Sequence, residues 1–169
     1  IDPNLGMGDL DLSRVFSWKF WSIIKKEGYI GVVLPRTILI GAGMADWRKE
    51  IIKNGSFIDS TILLNNKNWV FEDVESRYTI SLTTLKKDLD GKISTNGPYN
   101  SYDSYKLGRT KNMPVFKAED FIKWSDELIF PLIPSLEAGE VYKKMKRHPN
   151  FSDSNHSWIA KPVRELDAT

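Results

Sequence analysis

Before residue 88 the chain alternates helical and strand-like spacings of its apolar residues; after it the pattern thins. In "LSRVFSWKFWSIIKK", Leu12 to Lys26, the apolar positions Val15, Phe16, Phe20, Ile23 and Ile24 recur at helical spacing. Gly28 stops this helix behind lysines in its last turn, and Ser13 or Asp11 stands where an N-cap belongs. "YIGVVLP" is a near-continuous apolar run and predicts a strand buried on both faces. "MADWRKEIIKNG" predicts a second helix closed by Asn54-Gly55. "SFIDSTILLNN" predicts a second strand, and "RYTISLTTLKK", β-branched and alternating, a third. This order is an α/β pattern. The loop between the last two strands, Asn65 to Glu75, is long enough to carry function.

Past Lys87, "DLDGKISTNGPYNSYDSYKLGRTKNMP" is rich in Gly, Asn, Ser and Tyr and reads as turns. "KAEDFIKWSDEL" and "SLEAGEVYKKMKRHP" predict two further helices, starting near Ala118 and Ser135, and "WIAKPVREL" an extended tail. No internal repeat or low-complexity run is present.

Composition narrows the picture only a little. A chain of 169 residues, 41% apolar and 27% charged, supports one domain with a real core, or one domain plus a small appendage. A net charge of +2 does not announce a nucleic-acid binder. The absence of cysteine excludes disulfides and thiolate chemistry and fits a reducing cytoplasm. No apolar run approaches the ~18 residues of a membrane span, and the N-terminus lacks the plan of a signal peptide. Lacking an initiating Met, the chain reads as a fragment, or Ile1 to Pro3 as an appended remnant.

The chemical motifs are mostly negative. Gly41 and Gly43 match the first two positions of a dinucleotide-binding turn, but the third is Asp46, and Pro35 to Ile40 intervene after the strand. The stretch reads better as a flexible strand-to-helix connection, and a P-loop is absent. His148 and His156, without cysteine or HExxH, do not make a zinc site. The acids Asp9/Asp11 and Glu72/Asp73/Glu75 read as solvated loop charges and caps ahead of acid–base or metal work. Asp59 and Asp73 lack the Glu-x-Lys partner of a nuclease core, and no serine stands in a GxSxG elbow.

The aromatic residues are more informative. "NNKNWVFEDVESRY" sets Trp69 and Phe71 in a polar loop between two strands. Rings held at the end of a sheet are stacking platforms for a flat ligand; the competing reading has Phe71 plugging the end of the core.

In order, "GDLDLSRVFSWKFWSIIKKEGYIGVVLPRT", "WRKEIIKNG" and "LLNNKNWVFEDVESRYTISLTTL" resemble the second half of an adenine-N6 DNA methyltransferase, most closely the type IIG restriction–modification enzymes. "WIAKPVRELDAT" resembles a segment that follows the methyltransferase core there. The resemblance covers Gly8 to Lys87 well and the rest loosely. It implies an α/β fold that is a partial Rossmann-like methyltransferase sheet, the last three strands with flanking helices, followed by a smaller, mostly helical or irregular segment. Residues 1–87 are then the C-terminal part of the catalytic domain, and residues 88–169 an extension toward the target-recognition region.

The family's Asn/Asp-Pro-Pro-Tyr/Phe motif is missing, since no Pro-Pro occurs, and so is its glycine-rich S-adenosylmethionine turn. The resemblance therefore implies a fragment inactive alone. Its cytoplasmic parent would transfer a methyl from S-adenosylmethionine to adenine N6 in double-stranded DNA, needs no metal for that step, and often carries a separate nuclease. Phe71 matches the aromatic that stacks on the flipped adenine, with Trp69 beside it. Phe16 matches an aromatic that leans on the cofactor's adenine, against a plain core role, and Asp11 lies near the cofactor pocket. Lys106, Arg109, Lys111, Lys143, Lys144, Lys146 and Arg147 are candidates for phosphate contact, against a solvated helix face and loop. The cofactor itself is not expected to stay on the fragment. A sheet cut to three strands would expose an edge, so a homodimer or other self-associated form is expected. The alternative is a self-standing α/β module that binds nucleic acid or a partner without catalysis.

Overall fold

The fold was obtained as a computed structural model that describes residues 11–149. The elements, in order, are α1 (Leu12–Ile23), β1 (Tyr29–Pro35), α2 (Thr37–Ile40), α3 (Ala45–Asn54), β2 (Ser56–Leu64), β3 (Thr79–Lys86), β4 (Lys92–Tyr99), α4 (Tyr102–Gly108), β5 (Val115–Lys117), α5 (Ala118–Trp124) and α6 (Leu136–Met145). The result is mixed α/β. The strands form one sheet in the order β1-β3-β2-β4-β5. β3 is antiparallel to both β1 and β2, β4 is parallel to β2, and β5 is antiparallel to β4. It follows that β1, β2 and β4 all run the same way.

Asp11 is the cap of α1, its carboxylate accepting from the Ser13 backbone N–H at 2.8 Å. The helix stops at Ile23, ahead of the lysines. α1 and α3 lie together on one face of the sheet: the Trp47 indole donates to the Ser17 carbonyl (3.1 Å) and Arg14 to the Gly43 carbonyl (2.9 Å). A bulge between Phe57 and Asp59 interrupts the alternation of β2, which lets Phe57 and Ile62 enter the same core. There Phe57 meets Phe130 edge-on at 4.8 Å and Trp47 at 5.8 Å. Leu85, Ile93, Phe116, Phe121 and Ile133 continue this core beneath α5 and α6. Burying each such side chain contributes roughly 1.5–3 kcal/mol. The opposite face carries a smaller cluster of Leu63, Ile80 and Tyr99, with Trp69, Leu82 and Tyr105 packed against it.

Three expectations change. Among the described residues β1 is an edge strand, not one buried on both faces: Ile30, Val32 and Leu34 turn toward the larger core, while Tyr29 and Val33 are exposed. Its apolar run exceeds what one covered face requires. Second, the stretch after Lys87 is not loose turns ahead of helices. It adds β4, then α4, then β5, and brings the same sheet to five strands rather than three among the described residues. "KISTNGPY" lacks an apolar alternation because Thr95, Asn96 and Gly97 fill its buried interior beside β2, between Ile93 and Tyr99. Third, the connection from β1 to α3 is packed, not flexible. Ile38 and Leu39 are buried, and the fully buried Arg48 donates to the carbonyls of Ile38 (2.7 Å), Gly41 (3.0 Å) and Glu127 (2.7 Å). Carbonyls of Gly41 and Gly43 thus point at guanidinium groups, the reverse of an anion cradle. Burial holds the Arg48 guanidinium down at about 10, still charged at neutral pH, with nearby Glu127 opposing the shift. The "WIAKPVREL" tail, Asp9 and His156 lie outside the described residues.

Candidate functional site

Because β1, β2 and β4 are parallel, their carboxyl ends close together. Pro35 and Leu63 both pair with Ile80, and Leu63 pairs with Tyr99. From this end emerge Arg36 with α2, the loop from Asn65 to Tyr78, and α4. Burial pushes the Arg36 guanidinium below its ordinary range.

The loop is built on Asn65. It follows the last residue of β2, and its side chain is fully buried. Oδ1 accepts from the backbone N–H groups of Val70 and Phe71, each at 3.1 Å, and Nδ2 donates to the carbonyls of Phe71 (3.1 Å) and Val74 (2.8 Å). Lys67 and Asn68 turn the chain at φ 55° and 56°, in the left-handed region. Asn68 Nδ2 then donates to the Glu72 carbonyl at 2.7 Å. The Trp69 indole donates to the Leu64 carbonyl at 2.7 Å, and its ring lies 6.5 Å from that of Tyr105, which meets Tyr99 edge-on. Trp69 is therefore part of the smaller core. Phe71 is 43% exposed and does not plug the core.

Phe16 stacks on Phe20 at 5.8 Å and is 49% exposed. Phe16 is therefore not a core residue. Asp11 is engaged as the helix cap, which accounts for its presence without a ligand. Phe16 and Trp69 belong to separate ring pairs.

The basic candidates fall in two places. At the end of α4, Lys106 and Lys111 are exposed, while Arg109 is paired with Asp59 at 2.8 Å. Asp59 also accepts from Thr61 and Asn96. On α6, Lys143 pairs with Glu140 at 2.8 Å and lies over the Phe116 ring, and Lys146 donates to the Trp124 carbonyl at 3.2 Å. Lys144 and Arg147 are exposed there. Beside α4 the second face of the sheet holds a groove of about 330 Å³, lined by Gly31, Val33, Thr84, Asp59, Tyr105 and Arg109. Among the described residues, no group of three or more His, Asp or Glu side chains could hold a metal ion, and no helix is long and apolar enough to cross a membrane.

Compared with known proteins, the chain matches no family model and no curated protein.

Reading the sequence missed Asn65 and Arg48. Asn65 had a usable signal, an amide directly after an apolar strand, where Asn side chains bond the backbone of the following turn. Arg48 had another: it lies four residues before Ile52 and next to Trp47, on the apolar side of its helix.

Proposed function

We propose that this chain is the closing part of a Rossmann-like adenine-N6 DNA methyltransferase domain with the start of an extension toward target recognition. In this reading the whole enzyme moves a methyl from S-adenosylmethionine to an extrahelical adenine of double-stranded DNA. The chain itself lacks the Asn/Asp-Pro-Pro-Tyr/Phe motif and is inactive alone. The observation that carries the reading is Phe71: an exposed ring on a loop tied down at the carboxyl end of the parallel strands, the end at which open α/β sheets bind ligands. A target base must leave the duplex to react, and a waiting ring offsets roughly 1–3 kcal/mol of the lost stacking per base. The three strands expected from the resemblance lie side by side, and β1 forms an edge to which further strands can add. That edge also supports the expected self-association of the isolated chain.

The test is DNA binding over a salt series, on duplexes with and without an abasic position opposite a flippable adenine. Affinity should fall with salt and, on the abasic duplex, drop about tenfold in Phe71→Ala. Equal affinity of the two proteins for the abasic duplex would exclude Phe71 as a base platform.

A further inference from the structure

We infer that Asn65 is the positioning residue of the Phe71 platform: its amide fixes the Phe71 peptide before any base arrives. This rests on the base-platform reading above. The amide contacts both backbone polar groups of Phe71, and so the peptide units on either side of its Cα, accepting from the Phe71 N–H and donating to the Phe71 carbonyl, each at 3.1 Å. Two more bonds, from the Val70 N–H and to the Val74 carbonyl, hold the residues on either side. An Asn side chain is itself an amide, with two donor hydrogens and two acceptor lone pairs, and all four are matched here. No water competes, because the side chain is fully buried. The ring that projects from this fixed backbone is exposed. The loop carries no helix or strand pairing of its own between Trp69 and Tyr78, so the Asn65 amide supplies an order that secondary structure does not. A platform ordered in advance saves a ligand the entropy of ordering it.

Asn65→Asp isolates the effect. The carboxylate keeps the shape and the acceptor toward the two N–H groups, but turns an oxygen toward the carbonyls of Phe71 and Val74. The probe is a duplex with 2-aminopurine, a fluorescent adenine isomer, opposite an abasic position, because its emission falls when an aromatic ring stacks on it. Ile52→Val, in the larger core away from the loop, serves as a destabilised control. The expected result is quenching by the unsubstituted protein and by Ile52→Val, and its loss in both Phe71→Ala and Asn65→Asp. In the unsubstituted protein without DNA, the Val70 and Phe71 amides should exchange at least about tenfold more slowly than unbonded amides. Quenching lost in Phe71→Ala but kept in Asn65→Asp overturns the role of Asn65 and leaves the base platform standing. Quenching absent throughout, or unchanged in Phe71→Ala, overturns the platform reading and this inference with it. Unprotected Val70 and Phe71 amides overturn the inference even where Asn65→Asp fails to fold.

Discussion

One face of the sheet carries Phe57, Ile62 and Leu85 under α1, α3 and the segment through Phe130; the other carries Leu63, Ile80 and Tyr99 under α4, with Val33 open to solvent at the edge. The first face is aromatic and deep. Arg48 is sealed inside it and bonded to backbone carbonyls, and the buried Ser81 and Thr83 hydroxyls bond each other. The second face is shallow and mixed, with Asp59, Thr61 and Arg109 reaching into a groove. The difference separates two jobs. The first face holds the fold, and the second, with the loop at its end, is where a ligand can be met without unpacking the core.

Substitutions test that division directly. The largest effect is expected for Arg48→Ala, which strands the carbonyls of Ile38, Gly41 and Glu127 in the interior and should cost about 3–5 kcal/mol in urea unfolding. Gly55→Ala comes next, at about 2–3 kcal/mol, because a Cβ there would strike the Trp21 ring and the Lys86 carbonyl where α1 meets the sheet. On the second face, Arg109→Gln removes a half-exposed ion pair and should cost no more than about 1 kcal/mol. A loss above roughly 2 kcal/mol there would erase the contrast, since it would make Asp59 and Arg109 part of the structural core. The smallest stability effect is expected for Phe71→Ala, within about 0.5 kcal/mol by thermal melting, although it removes the proposed platform. A marked fall in melting temperature for that variant would return Phe71 to a packing role.

Much of the first face was legible from apolar spacing. The strands at Tyr29–Pro35, Ser56–Leu64 and Thr79–Lys86, and the helices around them, form close to where the pattern sets them. Spacing says less about polar residues, because it does not tell a buried amide from a solvated one. Asn65 in "LLNNKN" and Arg48 in "WRKEI" look like their exposed neighbours, yet tertiary packing seals them. β4 was hidden for the same reason. Its apolar buried residues, Ile93 and Tyr99, stand at its two ends, and Thr95, Asn96 and Gly97 are buried between them, so no apolar alternation marks the strand. Phe71 was legible as an aromatic in a polar loop; what holds it was not, since four hydrogen bonds from one side chain leave no periodic trace.

The most direct test of the central claim is to follow backbone amide NMR shifts while titrating the protein with the abasic duplex. The largest changes are expected on Asn65 to Asp73 and on the neighbouring α4, with the core of α1 and α3 still. Changes confined to Lys143 to Arg147 of α6 and its end would contradict it and support a basic-helix binding module instead.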